Sequence, residues 1–263
     1  MVGSESGIGG KAIVAASVGS SCRDAICKAV EPLEKKICTE FPDYRVVRAF
    51  TGERIISIIK QLGDDAQSTD SVLERLIGEG YGEAVIGSAH IFRGREYDKL
   101  CTAANKYSGY FSKLSLTCPL IDSVSDIERV FLMFLDAFRD ESSAIILLRH
   151  KSAAESDKLF EMLEPFFEKD SYRRIVIADT GDGYSFESTV KRIHRGGYKN
   201  AVLAPLMLTS GMHVMRDMIG NEDSLKNRLE ARGISVEPII KGLGEYETVQ
   251  KLYIEHLYKC ITE

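Results

Sequence analysis

Gly80-Tyr81-Gly82-Glu83-Ala84-Val85-Ile86 lies against Gly197-Tyr198-Lys199-Asn200-Ala201-Val202-Leu203 without a gap. This internal echo limits the fold more than any other feature, because a repeated strand entry implies two similar halves. Carried on in the same register, Gly94 falls on Gly211 and Glu96 falls on His213. Two equivalent loops, one presenting a carboxylate and one an imidazole, point to a site between the halves.

The second copy reads most clearly. Asn200 to Leu208 is a short apolar run without alternation, bounded by turn residues, which predicts a buried strand. Thr209, Ser210 and Gly211 break it. His213 then lies in a loop past the strand's carboxyl end, where open α/β sheets bind ligands. The first copy brings His90 to the end of its own strand.

The remaining chain repeats this programme. Strands are predicted at Lys11 to Ser17, Tyr44 to Phe50, Glu83 to Ala89 and Lys113 to Leu120. The second half adds Ser143 to Leu148, Arg173 to Ala178, Asn200 to Leu208 and Ile234 to Ile240. Ser143 to Leu148 mirrors the first strand, which sets His150 on Val18. Ala178-Asp179-Thr180-Gly181-Asp182 matches Ala49-Phe50-Thr51-Gly52-Glu53. Helical patterns separate the strands, among them Arg23 to Glu40, Glu96 to Tyr107, Asp126 to Arg139, Ala153 to Phe167 and Glu245 to Ile261. Strands alternating with helices predict an α/β fold. The expected architecture is two similar lobes, each a four-stranded, mainly parallel sheet flanked by helices, with a cleft between them. The expected division is a flexible leader over 1–10, an N-terminal lobe over 11–125 and a C-terminal lobe over 126–243. A closing helix over 244–263 is expected to pack back on the first lobe.

Composition narrows the function. The 263 residues carry 28% charged and 44% hydrophobic side chains, ordinary for a soluble globular protein. Net charge is -5, so nothing global favours nucleic acid or an anionic membrane. No apolar run approaches the roughly 20 residues of a membrane span. Met1 to Gly10 lacks a basic n-region and an apolar h-region, so no secretory signal is expected. The six cysteines form no C-x-x-C pair. Thiols in a reducing cytoplasm are the plain expectation.

His150, Glu96 and His213 all follow predicted strands. Two imidazoles and one carboxylate suit a first-row divalent metal with open positions. The plainer reading is three unrelated loop residues. His90 is either a fourth group in the cleft or a core histidine. Arg93, Arg95, Arg149, Lys151 and Arg216 flank the candidate ligands, which favours a polyanionic ligand over five separate solvated charges. The loop Val18-Gly19-Ser20-Ser21 before a helix can hold an anion on its N–H groups, with Ser20 at its centre. Asp179 to Gly183 reads as a plain turn, since its spacing fits no EF-hand.

Four segments carry a family resemblance: Phe41 to Thr51 (FPDYRVVRAFT), His90 to Leu100 (HIFRGREYDKL), Pro205 to Met218 (PLMLTSGMHVMRDM) and Val236 to Glu245 (VEPIIKGLGE). With them the chain resembles the anaerobic sirohydrochlorin cobaltochelatases (CbiK-type), class II chelatases related to ferrochelatase. The resemblance runs over essentially everything after the leader. It implies the chelatase-like two-lobed fold and insertion of Co2+, sometimes Fe2+, into a tetrapyrrole held in the cleft; a nickel-inserting enzyme is a rival reading, which leaves Ni2+ as a further candidate metal. It implies metal-site roles for His150, Glu96 and His213, and no organic cofactor. Arg149 and Lys151 stand where the family usually has small residues. These cations either grip substrate carboxylates or crowd the macrocycle. The alternative expectation is a non-catalytic tetrapyrrole- or metal-binding protein on the same fold. A homo-oligomer is left open.

Overall fold

The computed structural model describes residues 9–150, 167, 172–180, 186–220 and 222–263, with His213 described by its backbone alone. The expected helix over 153–167 and the leader therefore lie almost wholly outside the described residues.

The chain builds two parallel sheets of the same topology. In the first, β1 (Lys11–Ser17), β2 (Tyr44–Phe50), β3 (Glu83–Ser88) and β4 (Lys113–Leu116) run in the order β2-β1-β3-β4. In the second, β5 (Ser143–His150), β6 (Ile175–Thr180), β7 (Asn200–Pro205) and β8 (Ser235–Pro238) run in the order β6-β5-β7-β8. The register repeats as well. Ile13 pairs with Val46 and Val85, and its equivalent Ile145 pairs with Ile175 and Val202. The central strands are apolar on both faces because helices cover both. Ile13, Ile86, Ile145, Ile146 and Leu203 are all fully buried.

Described helices fill the crossovers. Arg23–Ala25 (α1) passes through a π-helical segment, Ile26–Val30, into Glu31–Glu40 (α2). One continuous helix was expected here. Pro32 lacks the N–H that a continuous i→i−4 ladder needs, so the break falls beside it. The predicted apolar face holds across the break, with Ile26, Val30, Leu33 and Ile37 buried. Then come α3 (Glu53–Gln61), α4 (Thr69–Gly78), α5 (Arg95–Tyr107) and α6 (Val124–Ala137). Ser123 caps α6 in a capping box with Asp126. The second half continues with α7 (Phe186–Arg195), α8 (Met212–Met215), α9 (Leu225–Glu230) and α10 (Glu247–Thr262).

Strand ends differ from expectation where proline or a turn intervenes. β7 stops at Pro205 rather than Leu208. Leu206 still donates to the Leu148 carbonyl at 2.7 Å, after which Met207 and Leu208 accept from Leu243 and Gly244. Gly242 permits this approach, since a Cβ there would lie 2.4 Å from the Leu208 carbonyl oxygen. β6 begins at Ile175 because Tyr172–Arg174 form a turn closed by Ile175 N–H to Tyr172 O at 2.8 Å. Asp179 and Thr180 are strand residues, paired with Arg149 and His150, which corrects that part of the turn expected over Asp179 to Gly183; 181–183 lie outside the described residues.

The described residues divide into two compact units. The first comprises those up to Ser21, Glu31–Leu120 and Gln250–Glu263; the second comprises Cys22–Val30 and those of Ile121–Val249. Within the first, Tyr253 of α10 is fully buried and donates to the Gly87 carbonyl at 2.9 Å.

Candidate functional site

In the first unit the strand ends gather around an imidazole. His90 follows β3 and is 5% exposed. Its Nε2 meets Thr51 Oγ1 at 2.9 Å and its Nδ1 meets Ser88 Oγ at 3.1 Å. Tyr97 packs edge-on at 6.4 Å between ring centroids. Burial, with the nearby Lys99 charge, pushes the His90 pKa down to about 4, so the ring is neutral at pH 7. His90 is thus an interior histidine with both ring nitrogens partnered.

Glu96 sits in the first turn of α5, where the helix dipole favours a carboxylate. Its oxygens face Lys99 at 3.1 and 3.2 Å. Lys99 also donates to the Thr51 carbonyl at 2.9 Å and reaches Glu53 at 3.4 Å. Arg93 and Arg95 are exposed, and Arg93 lies over the Tyr97 ring at 5.4 Å. Ser20 is buried and follows the left-handed Gly19.

In the second unit two side-chain pairs cross from β5 to β6 in adjacent register. Arg149 stands opposite Asp179, and His150 opposite Thr180. Successive strand residues point to opposite faces. Arg149 therefore turns inward. It is 2% exposed and forms a two-pronged pair with Asp179, the Nη2–Oδ2 contact being 3.1 Å. His150 is exposed, and its Nδ1 meets Thr180 Oγ1 at 3.0 Å. Lys151 lies outside the described residues.

His213 is the second residue of α8, not a loop residue. Glu96 is likewise the second residue of α5. The two sequence-equivalent positions thus occupy equivalent backbone sites, each one residue inside the helix that follows the third strand of its sheet. Arg216 opens the π-helical segment after α8 and is exposed, 3.2 Å from Asp217. Among the described residues no three His, Cys, Asp or Glu side chains gather into a metal-holding group; the His213 side chain is outside that set. None of the six cysteines forms a disulfide.

Sequence reasoning missed Thr51, Lys99, Asp179 and Thr180. Lys99 carried a faint signal in its i,i+3 spacing from Glu96. Asp179 and Thr180 carried another in their match to Phe50 and Thr51.

Over residues 11–262 the chain matches the cobalt chelatase (CbiK) family. It is a member of that family. Among its relatives is the sirohydrochlorin cobaltochelatase of Salmonella typhimurium, 26% identical over 260 residues, covering 95% of this chain and 96% of that one. Another is the sirohydrochlorin cobaltochelatase CbiKC of Nitratidesulfovibrio vulgaris, 26% identical, covering 96% and 91%. This cobalt chelatase family member also shares its fold with the sirohydrochlorin chelatase SirB of Bacillus subtilis subspecies spizizenii, solved in complex with cobalt. The TM-score is 0.63 at 11% identity, with 95% of both chains covered. Two four-stranded parallel sheets flanked by helices are therefore the fold of class II chelatases, as the resemblance implied.

Proposed function

We propose that this chain inserts Co2+ into sirohydrochlorin, with Fe2+ and Ni2+ as competing substrate metals, in the cytoplasm. Full-length membership in the cobalt chelatase family is the observation that carries this reading. The relatives named for this reaction support it at both ends of the chain.

The chemistry divides into three tasks. The metal, a substrate here, must be held loosely enough to leave. Two imidazoles and one carboxylate with exchangeable water serve this, and His150, His213 and Glu96 are the residues we assign. Each divalent ion that enters the macrocycle releases two pyrrole protons. A neutral imidazole is a fitting acceptor for one of them near pH 7, and we assign that role to His150 once it has given up the metal, the second proton passing to water. Thr180 at Nδ1 supports the assignment, because a ring that donates from Nδ1 to Thr180 keeps its Nε2 lone pair for metal or proton. The macrocycle must also bend to present its nitrogens, using binding energy from its carboxylates. The exposed Arg93, Arg95 and Arg216 fit that task, with Lys151 beside His150 in sequence. Arg149 and His90 drop out of the contact set because they are buried.

A non-catalytic binding protein was kept open by the cations flanking His150. Arg149, turned into its pair with Asp179, no longer supports it.

The test is anaerobic incubation with sirohydrochlorin and Co2+, followed by the macrocycle's absorbance. Repeated turnover is expected in the wild type, with nearly all of it lost in His213→Ala. A spectral change that stops at one equivalent would overturn the enzymatic reading. Full turnover in His213→Ala would overturn the site.

A further inference from the structure

Lys99 lies between two carboxylates and a carbonyl. Its ammonium is anchored by the Thr51 carbonyl at 2.9 Å. It reaches both oxygens of Glu96, at 3.1 and 3.2 Å. A second acid, Glu53 at the start of α3, waits at 3.4 Å. The three side chains differ in exposure: 29% for Glu96, 36% for Lys99 and 87% for Glu53.

This arrangement bears directly on a carboxylate that must take up and give up a cation. An ammonium about 3 Å from both oxygens covers the lone pairs that a metal needs. Its charge also opposes an incoming divalent ion. When Glu96 turns to a metal, the ammonium keeps the Thr51 carbonyl and gains Glu53 outright. It need not be stranded. When the metal leaves, Lys99 returns to Glu96 and fills the vacated acceptor sites. A group that weakens the metal-bound state in this way favours hand-over to the macrocycle.

We infer that Lys99 is a positioning residue that sets how tightly Glu96 holds the substrate metal, shifting between Glu96 and Glu53 as the metal enters and leaves. The inference rests on the assignment of Glu96 as a metal ligand.

The experiment is titration calorimetry of the full chain with Co2+ alone, followed by rapid-mixing transfer of bound Co2+ to sirohydrochlorin. Lys99→Met removes the opposing charge and is expected to bind Co2+ about tenfold more tightly, as an interaction near a partly exposed carboxylate allows. Its transfer step is expected to slow. Lys99→Gln repeats the charge removal with a polar side chain, so a folding defect in the methionine variant does not decide the matter. Lys99→Arg keeps the charge and is expected to bind as the wild type does. Glu53→Gln removes the alternative acceptor and is expected to weaken Co2+ about twofold, small because Glu53 is solvated. In a Glu96→Gln background, Lys99→Met is expected to have no effect. If Glu96→Gln weakens Co2+ while Lys99→Met and Lys99→Gln do not tighten it, the role of Lys99 is overturned and the site stands. If Glu96→Gln leaves Co2+ affinity unchanged, the assignment of Glu96 itself falls.

Discussion

Thr180 and His150 are cross-strand partners at the carboxyl ends of β6 and β5, joined through Oγ1 and Nδ1 at 3.0 Å. The other unit has the equivalent threonine, Thr51, which holds His90 at 2.9 Å. Each sheet thus uses the end of its second strand to orient an imidazole. The histidines come from different strands, so one is buried and the other exposed.

Thr180→Val removes the partner of His150 Nδ1 while keeping the side chain's shape. Outer partners of metal-binding histidines typically matter by 10- to 100-fold. Turnover is expected to fall by about tenfold or more, with Thr180→Ser restoring most of it. Imidazole nitrogen shifts measured by NMR should move in the valine variant and not in the serine variant. Unchanged shifts with unchanged turnover would remove Thr180 from the mechanism.

Arg149 and Asp179 form a pair whose side chains are 3% and 1% exposed. Removing one partner strands a charge in the interior, which costs about 3–5 kcal/mol. Asp179→Leu is expected to show that loss in urea unfolding. Replacing both residues by leucine should recover most of it, since an apolar pair of similar volume leaves no charge behind. Equal losses for the single and the double variant would mean that the charge pair is not the source.

The repeat and its register were legible because fully buried parallel strands read as unbroken apolar runs, and the segments at Ser143, Ala178 and Gly197 each had a first-half counterpart. The direction of Arg149 was not legible. An arginine at the end of an apolar run looks like the first loop residue, and its partner lies on another strand. His213 looked like a loop residue because Thr209, Ser210 and Gly211 precede it. The helix beginning at Met212 had its signal in the first copy, where α5 begins at the equivalent Arg95. Lys99 was overlooked because a Glu-x-x-Lys spacing usually marks a solvated pair. Only its anchorage to the Thr51 carbonyl distinguishes it.

His90 gives the first unit a defined acid sensitivity. The folded state holds the ring neutral, its pKa lowered to about 4 by burial and then by Lys99. The unfolded chain takes up the proton near the ordinary value of about 6.5. Its contribution is therefore complete above about pH 6.5 and is lost as pH falls from there toward about 4. Linkage puts the loss at about 2 kcal/mol between about pH 7 and 5. Urea midpoints at the two pH values measure it, and His90→Gln should remove that part of the slope. An unchanged slope would mean that the proton is taken up elsewhere.

Gly80 and Gly197 test the repeat itself. They adopt left-handed backbone at φ 81° and 75°. Each closes its helix alike: Gly80 N–H donates to Ile77 O, and Gly197 N–H to His194 O, both at 3.0 Å. The following tyrosines, Tyr81 and Tyr198, donate to Leu76 and Ile193 at 3.0 and 3.2 Å. No atom lies within 4 Å of an added Cβ at either glycine. Alanine therefore meets no clash, and its cost is the left-handed conformation alone, about 1 kcal/mol. Gly80→Ala and Gly197→Ala are expected to lose that amount equally in thermal or urea unfolding. Asparagine, which tolerates this conformation, should lose less at both positions. If alanine cost several kcal/mol at one glycine and nothing at the other, the two turns would not be energetic equivalents, whatever their shared sequence.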